Sequence, residues 1–330
     1  MARIIGKGYN FDDVLIVPRY NKIKSRNDVS FKTRVTRNYY IDIPLIAANM
    51  DTICESKMAI ALGKLGGLGV LHRFMTIEHQ GIEVRKVKSE NLICAAAIGV
   101  KDVEERAKAL VDAGVNILVI DIAHGHSKYA GKVLDYLKAT YPKVDVMAGN
   151  IATKDAANYF LSKGADAIKV GIGPGSVCLT RPMTGAGVPQ ITAIMDAYEA
   201  TQGEIPICAD GGVKNPSDVV KAIGAGADTV MCGSIFSGTD ETPGDIIEIG
   251  DERFKLYRGN ASYEVALKSK QMENGEEEIK FIEGSETKVS YKGSINPIVD
   301  RFLSGLASGM TYVGAREIKD IVGKVDFILK

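Results

Sequence analysis

The stretch Gly171-Ile172-Gly173-Pro174-Gly175-Ser176-Val177-Cys178 sets one cysteine at the end of a glycine-rich run, with Thr180 and Arg181 just beyond it. A thiol attacks as its thiolate, and a nearby cation or converging backbone N–H groups favour that form. Cys178 is therefore the expected covalent nucleophile. Cys54, Cys94, Cys208 and Cys232 read instead as small buried hydrophobes. Five cysteines, odd in number, widely spread and without a close metal-type pair, are expected to be reduced thiols.

Two shorter segments, Asp210-Gly211-Gly212 and Gly233-Ser234, again combine glycine with an oxygen-bearing side chain. Glycine lets backbone N–H groups approach an anion closely, so the three clusters together predict a phosphorylated ligand. Asp121 ends the apolar run Ile117-Leu118-Val119-Ile120, and Asp210 ends Ile207-Cys208-Ala209. Carboxylates emerging from buried strands suit the hydroxyl groups of a ribose; a loop-capping role is the alternative for each. His124 and His126 are spaced like a metal pair but lack a third ligand at zinc-like spacing, and read as loop structure or cofactor contacts.

These residues form one site only if the strands carrying them share an end. Eight short apolar runs occur, at 43–47, 68–71, 95–100, 117–120, 144–148, 167–170, 207–209 and 229–231, each followed within two residues by Gly, Asn, Asp or His. Amphipathic segments lie between them: in 103–113, Val103, Ala107, Leu110 and Val111 share a face, and Gly114 stops the helix. This βα rhythm predicts an α/β fold, a (β/α)8 TIM barrel, whose active site is built by the loops after the strands. An open doubly wound sheet is the rival, disfavoured by the number of units and by the lack of a glycine-rich dinucleotide fingerprint after the first strand. Beyond the eighth run the rhythm breaks. Residues 237–292 look irregular, include the acidic run Glu276-Glu277-Glu278, and are expected to form a mobile flap on the barrel before a last helix at 297–306. The whole of 1–330 is expected to be a single catalytic domain.

Composition narrows the partners. The 330 residues are 45 % hydrophobic, enough for one large core, and carry 41 basic against 41 acidic side chains. Zero net charge leaves no global field for nucleic acid, so an anionic ligand needs a local site. Apolar runs fall short of a membrane span and Met1-Ala2-Arg3-Ile4 opens no signal core, so a soluble, cytoplasmic protein is expected.

With these residues assembled, the chain resembles the IMP dehydrogenase/GMP reductase family, from Tyr9-Asn10-Phe11-Asp12-Asp13-Val14-Leu15 to Ser308-Gly309-Met310-Thr311-Tyr312-Val313-Gly314-Ala315. The run from Gly171 to Cys178 with Thr180-Arg181 looks like that family's cysteine loop, and Ala209-Asp210-Gly211-Gly212 like its ribose-phosphate loop. The resemblance implies an oxidoreductase in which Cys178 adds to C2 of a purine mononucleotide. It implies that Ser176, Gly212, Gly233, Ser234 and Tyr257 hold the 5′-phosphate and that Asp210 binds the ribose hydroxyls. It also implies a nicotinamide cofactor near Asp121 and Asn150, with Arg73 on the cofactor side, and a potassium ion on the backbone carbonyls of Gly173, Gly175 and Cys178. A cyclic homotetramer is implied as well.

The family's two reactions share the cysteine adduct and diverge once it has formed. The dehydrogenase oxidises IMP with NAD⁺ and hydrolyses the adduct, using an Arg-Tyr pair on its flap to activate water. The reductase expels ammonia from GMP and accepts hydride from NADPH, which requires protonation of the leaving amine. Residues 257–283 contain no Arg-Tyr dipeptide, and Leu71-His72-Arg73 runs straight on without the paired CBS modules that many dehydrogenases insert there. Ala48-Asn49-Met50 and His72-Arg73-Phe74 look like reductase forms, and Thr180 with Glu283 match the pair that protonates the amine. Residues 237–244 and 58–62 look more like dehydrogenase, and Leu179 and Asn260-Ala261-Ser262 depart from the usual pattern. The expected reaction is NADPH-dependent reductive deamination of GMP to IMP. Oxidation of IMP to XMP with NAD⁺ is the alternative, and a non-catalytic purine-nucleotide sensor, which would have no use for Cys178, is a third reading.

Overall fold

The eight apolar runs become the strands of a closed, all-parallel barrel in a computed structural model that describes residues 1–272 and 282–330. They are β1 (Leu45–Ala47), β2 (Leu68–Leu71), β3 (Ala95–Ile98), β4 (Ile117–Asp121), β5 (Asp145–Ile151), β6 (Ala167–Val170), β7 (Ile207–Asp210) and β8 (Thr229–Cys232). Their order around the barrel is their order in the chain, and β8 closes onto β1 through Val230↔Leu45, Met231↔Ile46 and Cys232↔Ala47. The strands read as unbroken apolar runs because both faces are covered. On β4, Ile117 and Val119 join the core inside the barrel, whereas Leu118 and Ile120 join the layer under the helices. A short antiparallel ribbon, Thr33–Arg34 with Tyr40–Ile41, adds Ile41 to the inner core, as the adjoining Val35 does.

Helices α1 (Ser56–Lys64), α2 (Ile77–Ser89), α3 (Val103–Asp112), α4 (Lys128–Thr140) and α5 (Lys154–Ser162) follow the first five strands in turn. Three of them start on side-chain caps: Thr76, Ser127 and Thr153 accept from the backbone N–H groups of His79, Ala130 and Ala156. A one-turn helix, α6 (Thr180–Thr184), and then α7 (Gln190–Thr201) follow β6, and α8 (Pro216–Ala225) follows β7. No helix among the described residues is long and apolar enough to cross a membrane.

Two regions differ from the sequence expectation. Within 237–292, instead of irregular chain, three antiparallel strands pair: β9 (Ile247–Ile249), β10 (Glu252–Arg258) and β11 (Glu286–Ser290), with α9 (Tyr263–Met272) between the last two. The strand signal of β10 is hidden because its buried face carries Lys255 and Tyr257 rather than aliphatic residues. Lys255 stays inside by donating to the carbonyls of Thr239 and Thr242. The Glu276-Glu277-Glu278 run lies outside the described residues.

The last helix, α10 (Asn296–Tyr312), outruns its expected end through Ser308-Gly309. Gly305 and Gly309 let it lie directly on α8: a Cβ at Gly305 would stand 2.2 Å from Pro216 Cβ, and one at Gly309 2.6 Å from Val220. Gly305→Ala should therefore destabilise the fold by about 1–3 kcal/mol, overpacking against a rigid proline outweighing the ~1 kcal/mol gain in helix propensity. Urea unfolding midpoints check this.

Candidate active site

At the carboxyl ends of the strands, a cavity of about 260 Å³ is walled by residues from seven of the eight strand ends and from the segment after β8. Cys178 lies on its wall, half-buried, while Cys54, Cys94, Cys208 and Cys232 are fully buried in the core. Burial pushes the thiols of those four up, to about 12 for Cys94 and Cys208, which keeps them protonated and inert. The four cysteines read from sequence as small buried hydrophobes are thus in the core, and Cys178 is not.

The loop bearing Cys178 is pinned from two sides. Arg181 donates through Nε to the Ile172 carbonyl at 3.1 Å and through Nη2 to the Val188 carbonyl at 2.6 Å, closing the loop on itself. On the other side the chain just before β11 pairs with it: Leu179 N–H donates to the Glu283 carbonyl at 2.7 Å and Ser285 N–H to the Val177 carbonyl at 3.0 Å, around a Cys178–Gly284 bridge. Two glycines permit this approach, since a Cβ on Gly259 would lie 3.0 Å from the Val177 carbonyl and 3.2 Å from Gly284 Cα. The pairing carries Glu283 to the cysteine. Cys178 Sγ stands 3.2 Å from Thr180 Oγ1, and Thr180 Oγ1–H donates to Glu283 Oε2 at 2.7 Å. Thiol, hydroxyl and carboxyl thus form a continuous hydrogen-bonded row spanning 103 residues of sequence from Thr180 to Glu283.

The cavity wall also carries Tyr257 and members of the three glycine clusters. Gly233, Gly211, Gly175 and Tyr257 are on the wall; Ser176, Gly212 and Ser234 adjoin them in sequence but do not line it. Gly212 needs its glycine for a backbone φ of +84°. A Cβ on Gly233 would meet the Tyr257 hydroxyl and Met50 Sδ, both at 2.9 Å. Burial pushes the Tyr257 phenol up to about 12, with the adjacent Ser176 side chain acting in the opposite sense. Of the three loop carbonyls, that of Gly175 accepts the Cys178 N–H at 3.2 Å.

Asp210, Asn150 and Asp121 are brought together by a residue that the sequence pattern did not single out. Lys169, in the middle of β6 and 1 % exposed, donates to Asp210 Oδ2 at 2.7 Å, to Asp121 Oδ1 at 3.1 Å and to Asn150 Oδ1. Asn150 Nδ2 completes the mesh by donating to Asp210 Oδ2 at 2.8 Å and to the Gly171 carbonyl at 2.7 Å. Burial opposes the lysine's charge, but Asp210 and Asp121 more than offset it and its pKa is raised. Burial would likewise raise the Asp121 carboxyl, yet Lys169 and Arg73 hold it below the ordinary carboxylate range. A single lysine inside Ala167-Ile168-Lys169-Val170 was the available signal: a charge on a strand buried on both faces needs partners.

Arg73 stacks on Phe74 at 4.7 Å, with Nε 3.9 Å from Asp121 Oδ2 and without a hydrogen-bond partner. It borders both the main cavity and a neighbouring one of about 520 Å³ that also contains Arg106. His124 and His126 meet edge-on at 6.5 Å, and His126 packs on Tyr159 at 5.3 Å. Among the described residues no group of three or more His, Cys, Asp or Glu is arranged to hold a metal ion.

Comparison with known proteins points to the family that the cysteine loop resembles. The family model described as IMP dehydrogenase / GMP reductase domain matches residues 8–330. Inosine-5′-monophosphate dehydrogenase of Borreliella burgdorferi is 39 % identical, covering 97 % of this chain and 93 % of its own. GMP reductase of Leishmania donovani is 32 % identical, covering 98 % and 94 %. A solved structure of GMP reductase from Trypanosoma brucei in complex with guanosine 5′-monophosphate superposes with a TM-score of 0.93 at 30 % identity, over 99 % of this chain and 96 % of that one. The Leishmania alignment runs over 463 positions and the Borreliella one over 376, so lack of a long insertion does not by itself mark a reductase. Fold, cysteine loop and matches together make the chain a member of the IMP dehydrogenase/GMP reductase family, oxidoreductases acting on purine nucleotides.

Proposed function

We propose that this chain is a GMP reductase, converting GMP to IMP and ammonia with NADPH. The observation that carries this reading is the row from Cys178 through Thr180 to Glu283, which sets a proton-bearing chain beside the only half-buried thiol among the five cysteines. In the proposed reaction the Cys178 sulfur bonds to purine C2. Glu283, through Thr180, delivers a proton to the 2-amino group, which leaves as ammonia. NADPH, when bound, would supply a hydride to C2, and breaking of the C2–S bond would return the thiolate and release IMP. Asp210 would hold the ribose hydroxyls, and Ser176, Gly212, Gly233, Ser234 and Tyr257 the 5′-phosphate. Asp121, Asn150 and Arg73 would face the cofactor. The carbonyls of Gly173, Gly175 and Cys178 would hold a potassium ion that stiffens the loop; a homotetramer in the cytoplasm completes the proposal.

Hydrolysis of the adduct, which the dehydrogenase needs, finds no base of the expected kind. The two arginines of 237–292 are both engaged away from the thiol: Arg258 with Asp51 at 2.9 Å and Glu286 at 2.8 Å, Arg253 stacked over Tyr291 at 4.4 Å. One observation favours the dehydrogenase instead: enzymes of that name from Borreliella burgdorferi and Cryptosporidium parvum reach 39 % and 40 % identity. Incubation with GMP and NADPH, and separately with IMP and NAD⁺, separates the two. Cofactor oxidation only with GMP supports the reductase; cofactor reduction only with IMP rejects it.

A further inference from the structure

We infer that Lys169 is a positioning residue that couples the nucleotide side of the site to the cofactor side by holding Asp210 and Asp121 on one ammonium. The inference rests on the proposed roles of those two carboxylates. An ammonium has three N–H donors, and all three are spent: on Asp210 Oδ2, on Asp121 Oδ1 and on Asn150 Oδ1. None is left for a ligand, so Lys169 acts through its neighbours. The arrangement is built into the barrel: Lys169 follows Ala167 on the inward face of β6, and the neighbouring strand β5 carries Gly149 opposite it, where any Cβ would lie 2.6 Å from Lys169 Cβ.

Two carboxylates share one cation here, so whatever weakens one attachment strengthens the other. Asn150 extends the coupling to the thiol loop, because its Nδ2 joins Asp210 to the carbonyl of Gly171, the first residue of that loop. A ligand pulling on Asp121 would therefore be felt at Asp210 and at the root of the cysteine loop.

The test is equilibrium binding of GMP and of IMP, measured by calorimetry over a pH series, for wild type, Lys169→Met, Lys169→Arg and Asp121→Asn. Losing the lysine leaves the Asp121 and Asp210 carboxylates without the cation they share, which disfavours their charged forms. Lys169→Met should weaken nucleotide binding roughly tenfold or more and move its acidic limb to higher pH. Lys169→Arg should restore most of the affinity. Asp121→Asn removes the competing carboxylate and leaves the cation to Asp210, which favours the charged form there, so the acidic limb should move to lower pH.

These opposite shifts are the signature of coupling. Unchanged affinity and pH dependence in Lys169→Met, shifts of the same sign in both variants, or a loss that Lys169→Arg does not repair would overturn it. Should Lys169→Met fail to fold, Asp121→Asn decides alone: a downward shift supports the coupling and no shift refutes it. Binding is read without turnover, so it does not depend on which reaction the enzyme runs. A wild-type protein that bound neither nucleotide would sink the functional reading and the coupling with it, whereas tight wild-type binding with inert variants sinks only the coupling.

Discussion

Cys178→Ala is expected to lower turnover of GMP with NADPH by roughly 10⁴-fold or more while leaving GMP affinity within a few-fold of wild type. The split follows from where the sulfur sits. It lines the cavity without contributing to the Lys169 mesh or to the Gly211, Gly233 and Tyr257 wall, so its loss removes the attacking atom and spares the groups that would hold the ligand. Alanine also keeps the Cys178 backbone pairing with Gly284, because that bridge uses main-chain groups. Steady-state kinetics and calorimetric binding on the same preparation check both halves. A fully active variant would dispose of the covalent mechanism.

Glu283→Gln should cost roughly 10²–10⁴-fold in turnover with GMP, for a reason that can be isolated chemically. If Glu283 serves to protonate the departing amine, a substrate whose C2 substituent leaves without protonation should not need it. A 2-halopurine ribonucleotide is such a substrate: attack by Cys178 expels halide and leaves a stable thioether, visible as a mass increase. Glu283→Gln should therefore lose GMP turnover yet still be labelled at a near wild-type rate, whereas Cys178→Ala should not be labelled. Loss of labelling in Glu283→Gln would reassign the carboxyl to thiol activation or to positioning through Thr180. Thr180→Val, which cuts the row between sulfur and carboxyl, should follow Glu283→Gln in both assays.

The barrel, the thiol and the two strand-end carboxylates are legible from residues alone, since each is a local property. Runs such as Ile117-Leu118-Val119-Ile120 are apolar on both faces because both faces are buried, and that pattern needs no partner to be read. Cys178 stands out because glycines and hydroxyls crowd around one cysteine of five. Strand ends differ from the apolar runs by a few residues, and the sheet of β9, β10 and β11 escapes the pattern because Lys255 and Tyr257 occupy its buried face.

Which polar groups meet is settled only on folding. Glu283 reaches Thr180 across 103 residues, and in sequence nothing but family likeness sets that glutamate apart. Lys169 finds Asp121 and Asp210 at separations of 48 and 41 residues, so a lone lysine in an apolar strand signals that partners exist but not which they are. The physical reason is the same in each case. Periodicity records whether a side chain is buried, whereas hydrogen bonds and ion pairs depend on distances between strand ends and loops that exist only once the barrel has closed. The order of residues dictates that a thiol stands at the mouth of a barrel; closure of that barrel dictates which hydroxyl and carboxyl stand beside it.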